Sequence, residues 1–194
     1  QTQRLIAEAP DDITRQRARQ IEAALRRLAR LSEKLMQLAR AEGGRLKAAE
    51  PVDVAAILLL VVHEMTASAD SAGRIELMLP DAPVLSDIDL DAFAILARNL
   101  IENALKHGSR QEPVRVVLSA DGMLRVSNAG PAVPSDLLAR LAEPFERGRA
   151  RADGAGLGLS IAKTIAAGTG GRIELISPLE GRQDGFEVRF FLGK

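Results

Sequence analysis

Hydrophobic and polar positions alternate in two different ways along this chain. From Asp11 to Glu42 there is no Gly and no Pro, and Arg, Ala, Leu and Glu dominate. Ile21, Leu28 and Leu35 stand seven apart, and Ala24, Leu31 and Leu38 repeat the interval three residues behind them. That is a heptad seam, which Leu25 widens. Asp11 or Asp12 after Pro10 supplies an N-cap, and Gly43-Gly44 stops the helix. A single amphipathic helix of this length cannot bury its own stripe. The pattern predicts a hairpin with Gln1–Glu8 and a second subunit against the seam. The simpler alternative is a helix lying on the domain that follows.

From Val52 onward the periods mix. Val54–Ala67 reads as a helix. Arg74–Leu79 alternates as a strand and runs into Pro80-Asp81-Ala82-Pro83, which is turn chemistry. Phe93, Leu96, Leu100, Ile101 and Leu105 recur at helical spacing, predicting a helix over Leu90–His107. Val114–Ser119 and Met123–Ser127 flank Ala120-Asp121-Gly122, a hairpin signal. Ser135–Leu141 reads as a short helix capped by Ser135, and Leu157–Ala167 as a longer one. Arg172–Ile176 and Phe186–Leu192 read as strands. Several strand pairs are joined by short turns, so the expectation is α+β: a two-layer α/β sandwich, with a mixed sheet and helices on one face. The expected division is 1–45 for the helical hairpin and 46–194 for the sandwich. No internal repeat or low-complexity tract interrupts it.

Composition narrows the function. The 194 residues carry 26 basic and 26 acidic side chains, so a simple basic nucleic-acid binder is excluded. With no Cys there are no disulfides, zinc ribbons or thiol chemistry, and two His argue against a transition-metal site. Trp and Tyr are absent and Phe numbers five, which removes the stacking platforms of single-strand binders. The longest apolar run, Val54–Val62, falls far short of the roughly 20 residues that span a bilayer. No signal peptide opens the chain. Its first residue is Gln1, so it reads as part of something longer, with any membrane anchor in segments outside it.

Three clusters carry chemistry. Asn99, Asn103, Lys106 and His107 lie three, four or seven residues apart, hence on one side of the predicted helix. An amide oxygen can ligate Mg²⁺ and a Lys can meet phosphate; a solvated polar face is the bland alternative. Gly154-Ala155-Gly156-Leu157-Gly158-Leu159-Ser160 leads into a helix. Its glycines let backbone N–H groups approach an anion at the positive end of a helix dipole. It is neither a Walker A loop nor a Rossmann fingerprint, and alone it could be a flexible loop capping a helix. Asn128-Ala129-Gly130-Pro131 follows a strand directly. An amide at a strand end beside a glycine can bond a base edge, or the stretch is simply a Gly-Pro turn.

The order and spacing of these clusters resemble the ATP-binding domain of sensor histidine kinases, within the Bergerat-fold ATPase superfamily. The likeness covers roughly Pro51–Leu192. Its asparagine box is Asn99–Gly108, its first glycine box Asn128–Gly130, its Phe box Glu143-Pro144-Phe145-Glu146-Arg147, and its second glycine box Gly154–Gly158. Gly170-Gly171-Arg172-Ile173 resembles the turn that follows. The resemblance implies ATP and Mg²⁺ as cofactors, with Asn103 on the metal and Asn99 supporting it or its waters. It places Lys106 at phosphate, His107 along the nucleotide, Asn128 at the adenine amino group and Gly130 beneath the ring. Arg147 would reach phosphates from a lid over 131–153, and Gly154, Gly156, Leu157, Gly158 and Leu159 would cradle them.

Two positions depart from the family pattern. Asn128 stands where Asp is usual, so the acceptor is retained without its charge. Asp184 stands where a Ser or Thr often lies, two residues before the Phe of the last strand. A third position separates branches of the superfamily: Asn99 sits where topoisomerase and chaperone ATPases carry a water-activating Glu. An amide cannot be a general base, which favours phosphoryl transfer to a side chain resting on positioning and charge neutralisation.

Residues 1–42 resemble the dimerisation and histidine-phosphotransfer hairpin, without its His-Glu-x-x-x-Pro motif. His63-Glu64 lies after that hairpin and lacks the Pro. The resemblance therefore implies the catalytic fragment of a two-component kinase. It would transfer the γ-phosphate of ATP to a histidine upstream of Gln1, for relay to the Asp of a response-regulator receiver domain. It implies a homodimer through the hairpin, no nucleic acid, and a cytoplasmic placement within a bacterial inner-membrane sensor. The alternative is a catalytically degenerate nucleotide-binding module of the same fold.

Overall fold

The structure is a computed structural model that describes residues 11–44, 46–67, 71, 73–138, 140–141, 143 and 156–193. The expected partner segment Gln1–Glu8 lies outside the described residues. The chain forms two compact units, 1–36 and 37–194. Helix α1 (Asp12–Gly43), whose residues from Gln37 on belong to the second, begins where its cap was expected. The Asp11 carboxylate accepts from the Thr14 N–H at 2.7 Å and from its hydroxyl at 3.0 Å, satisfying a donor that helix geometry leaves open. These bonds hold the Asp11 carboxyl below its ordinary range, the Thr14 N–H contributing most. Ile21, Leu25, Leu28 and Leu35 of the seam are all exposed.

The second unit is built around one helix. α2 (Val54–Thr66) and α3 (Leu90–His107) each start at an aspartate. Asp89 accepts from the N–H groups of Asp91 and Ala92. Asp53 accepts from Ala55 and also from Val84, 31 residues on, so a single carboxylate caps α2 and pins an incoming strand. In α3, Ala92, Phe93, Leu96, Ala97, Leu100, Ile101 and Ala104 are buried at helical spacing. That wide stripe exists because α3 packs against α2, against α5 (Gly158–Gly168) and against the central strands of the sheet.

The sheet has five strands: β2 (Ile75–Met78), β4 (Val114–Leu118), β5 (Met123–Asn128), β6 (Arg172–Ile176) and β7 (Phe186–Phe191). Their order is β2-β4-β5-β7-β6. β2 runs parallel to β4 and the other neighbours are antiparallel, which makes it the mixed sheet expected. Val116, Val126 and Val188 sit side by side across β4, β5 and β7 and are buried under the helices. The alternate residues face the other way and pair as ions: Arg115 with Glu76, and Arg189 with Glu187. Among the described residues no second layer of helices covers this charged face, and the sandwich has two layers. A one-turn helix, α4 (Ser135–Leu138), is shorter than the Ser135–Leu141 expected.

Two strands escaped the sequence pattern. β1 (Lys47–Asp53) and β3 (Leu85–Ile88) form a separate antiparallel pair. β1 reads Lys-Ala-Ala-Glu-Pro-Val-Asp, poor in strand formers and interrupted by a Pro. β3 inverts the usual polarity: Ser86 is buried while Leu85 is 66% exposed. Its pairing is set by contacts distant in sequence, which no local period reports.

Arg74 secures the end of α3. Its guanidinium donates to the carbonyls of Leu105 at 3.1 Å and Ser109 at 3.5 Å, placing a cation at the negative end of the helix. Phe93 is fully buried at the centre of the second unit. Phe93→Ala is expected to cost about 3–5 kcal/mol, read as a lowered midpoint in urea unfolding with an unchanged m-value.

Candidate functional site

The site assembles where α3 ends, β5 ends and α5 begins. Asn99 is almost completely buried, 1% exposed. Its amide N–H₂ donates to the Ile95 carbonyl at 2.8 Å and to Gln37 Oε1 at 3.2 Å. Its Oδ1 lies 3.4 Å from where a Cβ on Gly158 would stand. The asparagine box and the second glycine box are therefore neighbours at Asn99. Asn103 follows one turn later and is half-buried, and Lys106 and His107 occupy the last turn.

Asn128 closes β5 from the other side. It is 5% exposed, and its N–H₂ donates to the Ala129 carbonyl at 3.1 Å. A carbonyl can only accept, so this bond fixes which way the amide points. Its Oδ1 is then buried with no hydrogen-bond partner. A buried acceptor left unpaired costs about 1–3 kcal/mol; such an atom marks a place made for a donor. Glycines let the backbone close in around this asparagine. A Cβ on Gly108 would lie 2.9 Å from Asn128 Cβ, and one on Gly130 would lie 3.1 Å from the His107 carbonyl oxygen. Ser109 donates to the Ala129 carbonyl at 2.7 Å, tying the end of the asparagine box to the first glycine box.

The third wall is the start of α5. Gly156 has φ +69°, a left-handed conformation open to glycine. Leu157 precedes the helix without any side-chain cap on the first N–H groups. Those groups are suited to an anion. Leu157 and Leu159 are themselves buried, so their contribution here is backbone N–H and packing rather than side-chain contact. Gly154 and Arg147, together with Pro144–Glu146 of the Phe box, lie outside the described residues.

No group of three or more His, Cys, Asp or Glu among the described residues could hold a metal ion. A divalent cation at this site would need oxygens from a bound triphosphate beside the Asn103 amide oxygen, the hard-ligand chemistry that suits Mg²⁺. The orphaned Asn128 acceptor, the uncapped α5 N-terminus and the glycine-lined floor fit a nucleotide between them. Desolvation, and secondarily the positive charge of Lys106, push the His107 imidazole below its ordinary pKa of 6.5. An open hollow of about 410 Å³ lies along α3, lined by Glu64, Arg74, Arg98, Glu102 and Lys106 among others, so Lys106 alone of the predicted site residues borders it. Asn99, Asn103 and Asn128 do not line it.

Known proteins place this architecture. The profile of the histidine kinase-, DNA gyrase B- and HSP90-like ATPases matches residues 88–194. The signal transduction histidine-protein kinase AfsQ2 of Streptomyces coelicolor is 34% identical over 180 residues, covering 88% of this chain and 32% of that protein. The bacteriophytochrome of Pseudomonas aeruginosa is 32% identical over 174 residues, covering 85% of this chain and 24% of its own length. Among solved structures, full-length ShkA in complex with AMPPNP superposes with a TM-score of 0.68 at 26% identity, covering 98% of this chain and 41% of that one. The chain belongs to the histidine kinase-, DNA gyrase B- and HSP90-like ATPase family, as a relative of the sensor histidine kinases within it. It spans about a third or less of the length of these two curated relatives. No helix among the described residues is long and apolar enough to cross a membrane.

The His107 shift has a definite sign. An imidazole whose folded pKa is depressed favours the folded state above 6.5, and that contribution is lost as pH falls through the lower folded value. An NMR titration is expected to give His107 a midpoint below 6.5 in the folded chain, and the ordinary value in 8 M urea.

Proposed function

We propose that this chain binds Mg-ATP and is the catalytic part of a two-component sensor histidine kinase. It passes the γ-phosphate to a histidine outside this chain, for relay to the Asp of a response-regulator receiver domain. The observation that carries the reading is the buried, orientation-locked and unpartnered Oδ1 of Asn128, an acceptor matched to the adenine amino group. Family membership and the likeness to a kinase complexed with AMPPNP support it.

The residues divide the work. Asn128 accepts from the base while Gly130 lets the ring approach. The α5 N–H groups at Gly158 and Leu159, beyond the bend at Gly156, meet the phosphates. Lys106 adds a point charge there, Arg147 and Gly154 contribute from the segment between the boxes, and His107 lies along the nucleotide as a neutral imidazole. Asn103 holds Mg²⁺, which when bound neutralises charge on the transferred phosphoryl. Asn99 supports that arrangement from behind, as a neighbour of Gly158. Held by the Ile95 carbonyl, its amide has no basic atom to offer a water, so transfer to a side chain is favoured over hydrolysis. The exposed seam of α1 supplies the homodimer contact, in the division 1–45 and 46–194. The chain then acts as the cytoplasmic portion of a bacterial inner-membrane sensor.

Removing a ligand to a charged group costs about 1.5–3 kcal/mol, so Asn103→Ala is expected to weaken Mg-ATP roughly ten- to a hundredfold by calorimetry. Asn128→Ala is expected to weaken it about tenfold through the base alone. Equal affinity of both variants and wild type would reject the assignment. Incubation with radiolabelled ATP and a phosphoacceptor hairpin supplied in trans separates a working kinase from a nucleotide-binding module that no longer transfers phosphate.

The seam makes its own prediction. Leu28→Lys with Leu35→Lys is expected to convert a dimer to a monomer in light scattering; a dimer that persists places the contact elsewhere.

A further inference from the structure

The stretch Asn128–Gly130 is held from two sides by two exposed loops. On one side, Ser109 donates to the Ala129 carbonyl at 2.7 Å. On the other, Gly185 donates to the Gly130 carbonyl at 2.6 Å. Ser177 extends the second attachment: its hydroxyl donates to the Gly185 carbonyl at 2.6 Å and accepts from the Val133 N–H at 2.9 Å. The walls of the base site are thus only as well placed as the loop after α3 and the loop between β6 and β7.

Arg182 joins those two loops. Its two terminal nitrogens reach the two Glu112 oxygens at 2.9 and 3.0 Å, a bidentate fork. Its Nε donates to Asp184 Oδ1 at 2.7 Å, and a terminal nitrogen reaches Oδ2 at 3.2 Å. Glu112 lies three residues beyond Ser109, and Asp184 immediately precedes Gly185. The Leu179 N–H donates to the Asp184 carbonyl at 3.0 Å and closes the same turn. The acid at 184, unusual by family resemblance, is used as a grip on Arg182.

We infer that Arg182 is a positioning residue for base recognition: its fork to Glu112 and Asp184 fixes the spacing of the two loops that hold Ala129 and Gly130, and so the placement of the Asn128 acceptor. This rests on the reading of the site as an ATP site. The chemistry suits the role. Arg presents a planar, pre-formed fork, so two parallel bonds set an angle as well as a distance. The bonds from Arg182 hold both carboxyls below their ordinary values. Their contribution is therefore present above about pH 4.5 and is lost as pH falls through the lower folded values. All three side chains are more than a third exposed, so the fork contributes little to global stability, and its effect is local geometry.

That separation makes the test. Mg-ATP and Mg-GTP affinities are measured by calorimetry for the wild-type chain, Arg182→Gln, Glu112→Gln, the double variant and Arg182→Lys. Thermal unfolding is followed in parallel. The expected result is about fivefold weaker ATP binding in each Gln variant, with the ATP-to-GTP preference narrowed and the unfolding midpoint nearly unchanged. The double variant is no weaker than Arg182→Gln alone, because the link to Glu112 is already broken there. Arg182→Lys, with the charge but not the fork, retains part of the preference. An unchanged ATP-to-GTP ratio in Arg182→Gln overturns the inference. So does an equal loss for both nucleotides with a lowered midpoint, which is a merely structural effect. A wild-type chain that binds no ATP overturns the functional reading itself, and this one with it.

Discussion

Everything in the second unit depends on one helix serving two environments. α3 presents Phe93, Leu96, Ala97, Leu100 and Ile101 to the core, and it also carries Asn99, Asn103, Lys106 and His107. A helix turns 100° per residue, so polar and apolar sets cannot be separated without also fixing the helix's rotation about its axis. The core supplies that fixation. With several side chains in the buried stripe essentially inaccessible to water, rotating α3 would expose apolar surface at roughly 25 cal/mol per Å². Packing energy therefore sets the bearing of the polar groups, and Arg74 at the C-terminal end secures where they stop.

Asn99 shows how closely the two roles meet. It belongs to the polar set by sequence, yet it lies as deep as the leucines around it. Its burial is tolerated because both donor hydrogens are placed, on the Ile95 carbonyl and on Gln37. Its remaining oxygen faces Gly158, 3.4 Å from where a Cβ would stand. The start of α5 thus packs on the middle of α3 beside a buried polar side chain.

Much of this was legible in the residues. The 3.6-residue recurrence over Leu90–His107, the Ala-Asp-Gly hairpin and the alternation in β4, β5 and β7 gave the sandwich and its mixed sheet. The two asparagine-bearing boxes came out adjacent. What escaped has a physical reason in each case. β1 and β3 pair through registry between segments more than thirty residues apart, and Ser86 and Leu85 exchange the usual inside and outside. The locked orientation of Asn128 depends on a backbone carbonyl one residue away, which residue types do not disclose. The link between Arg182 and Glu112 crosses 70 positions; the oddity of an acid at 184 was its one visible trace.

Replacing a carboxylate by an amide at position 128 changes more than charge. A carboxylate's capacity to accept is hostage to proton concentration, and burial pushes its titration toward neutrality. The Asn128 oxygen has no such dependence: between acid and alkaline conditions it remains the same acceptor, held at the same angle by its own N–H₂. In the proposed base contact, electrostatic strength is exchanged for constancy.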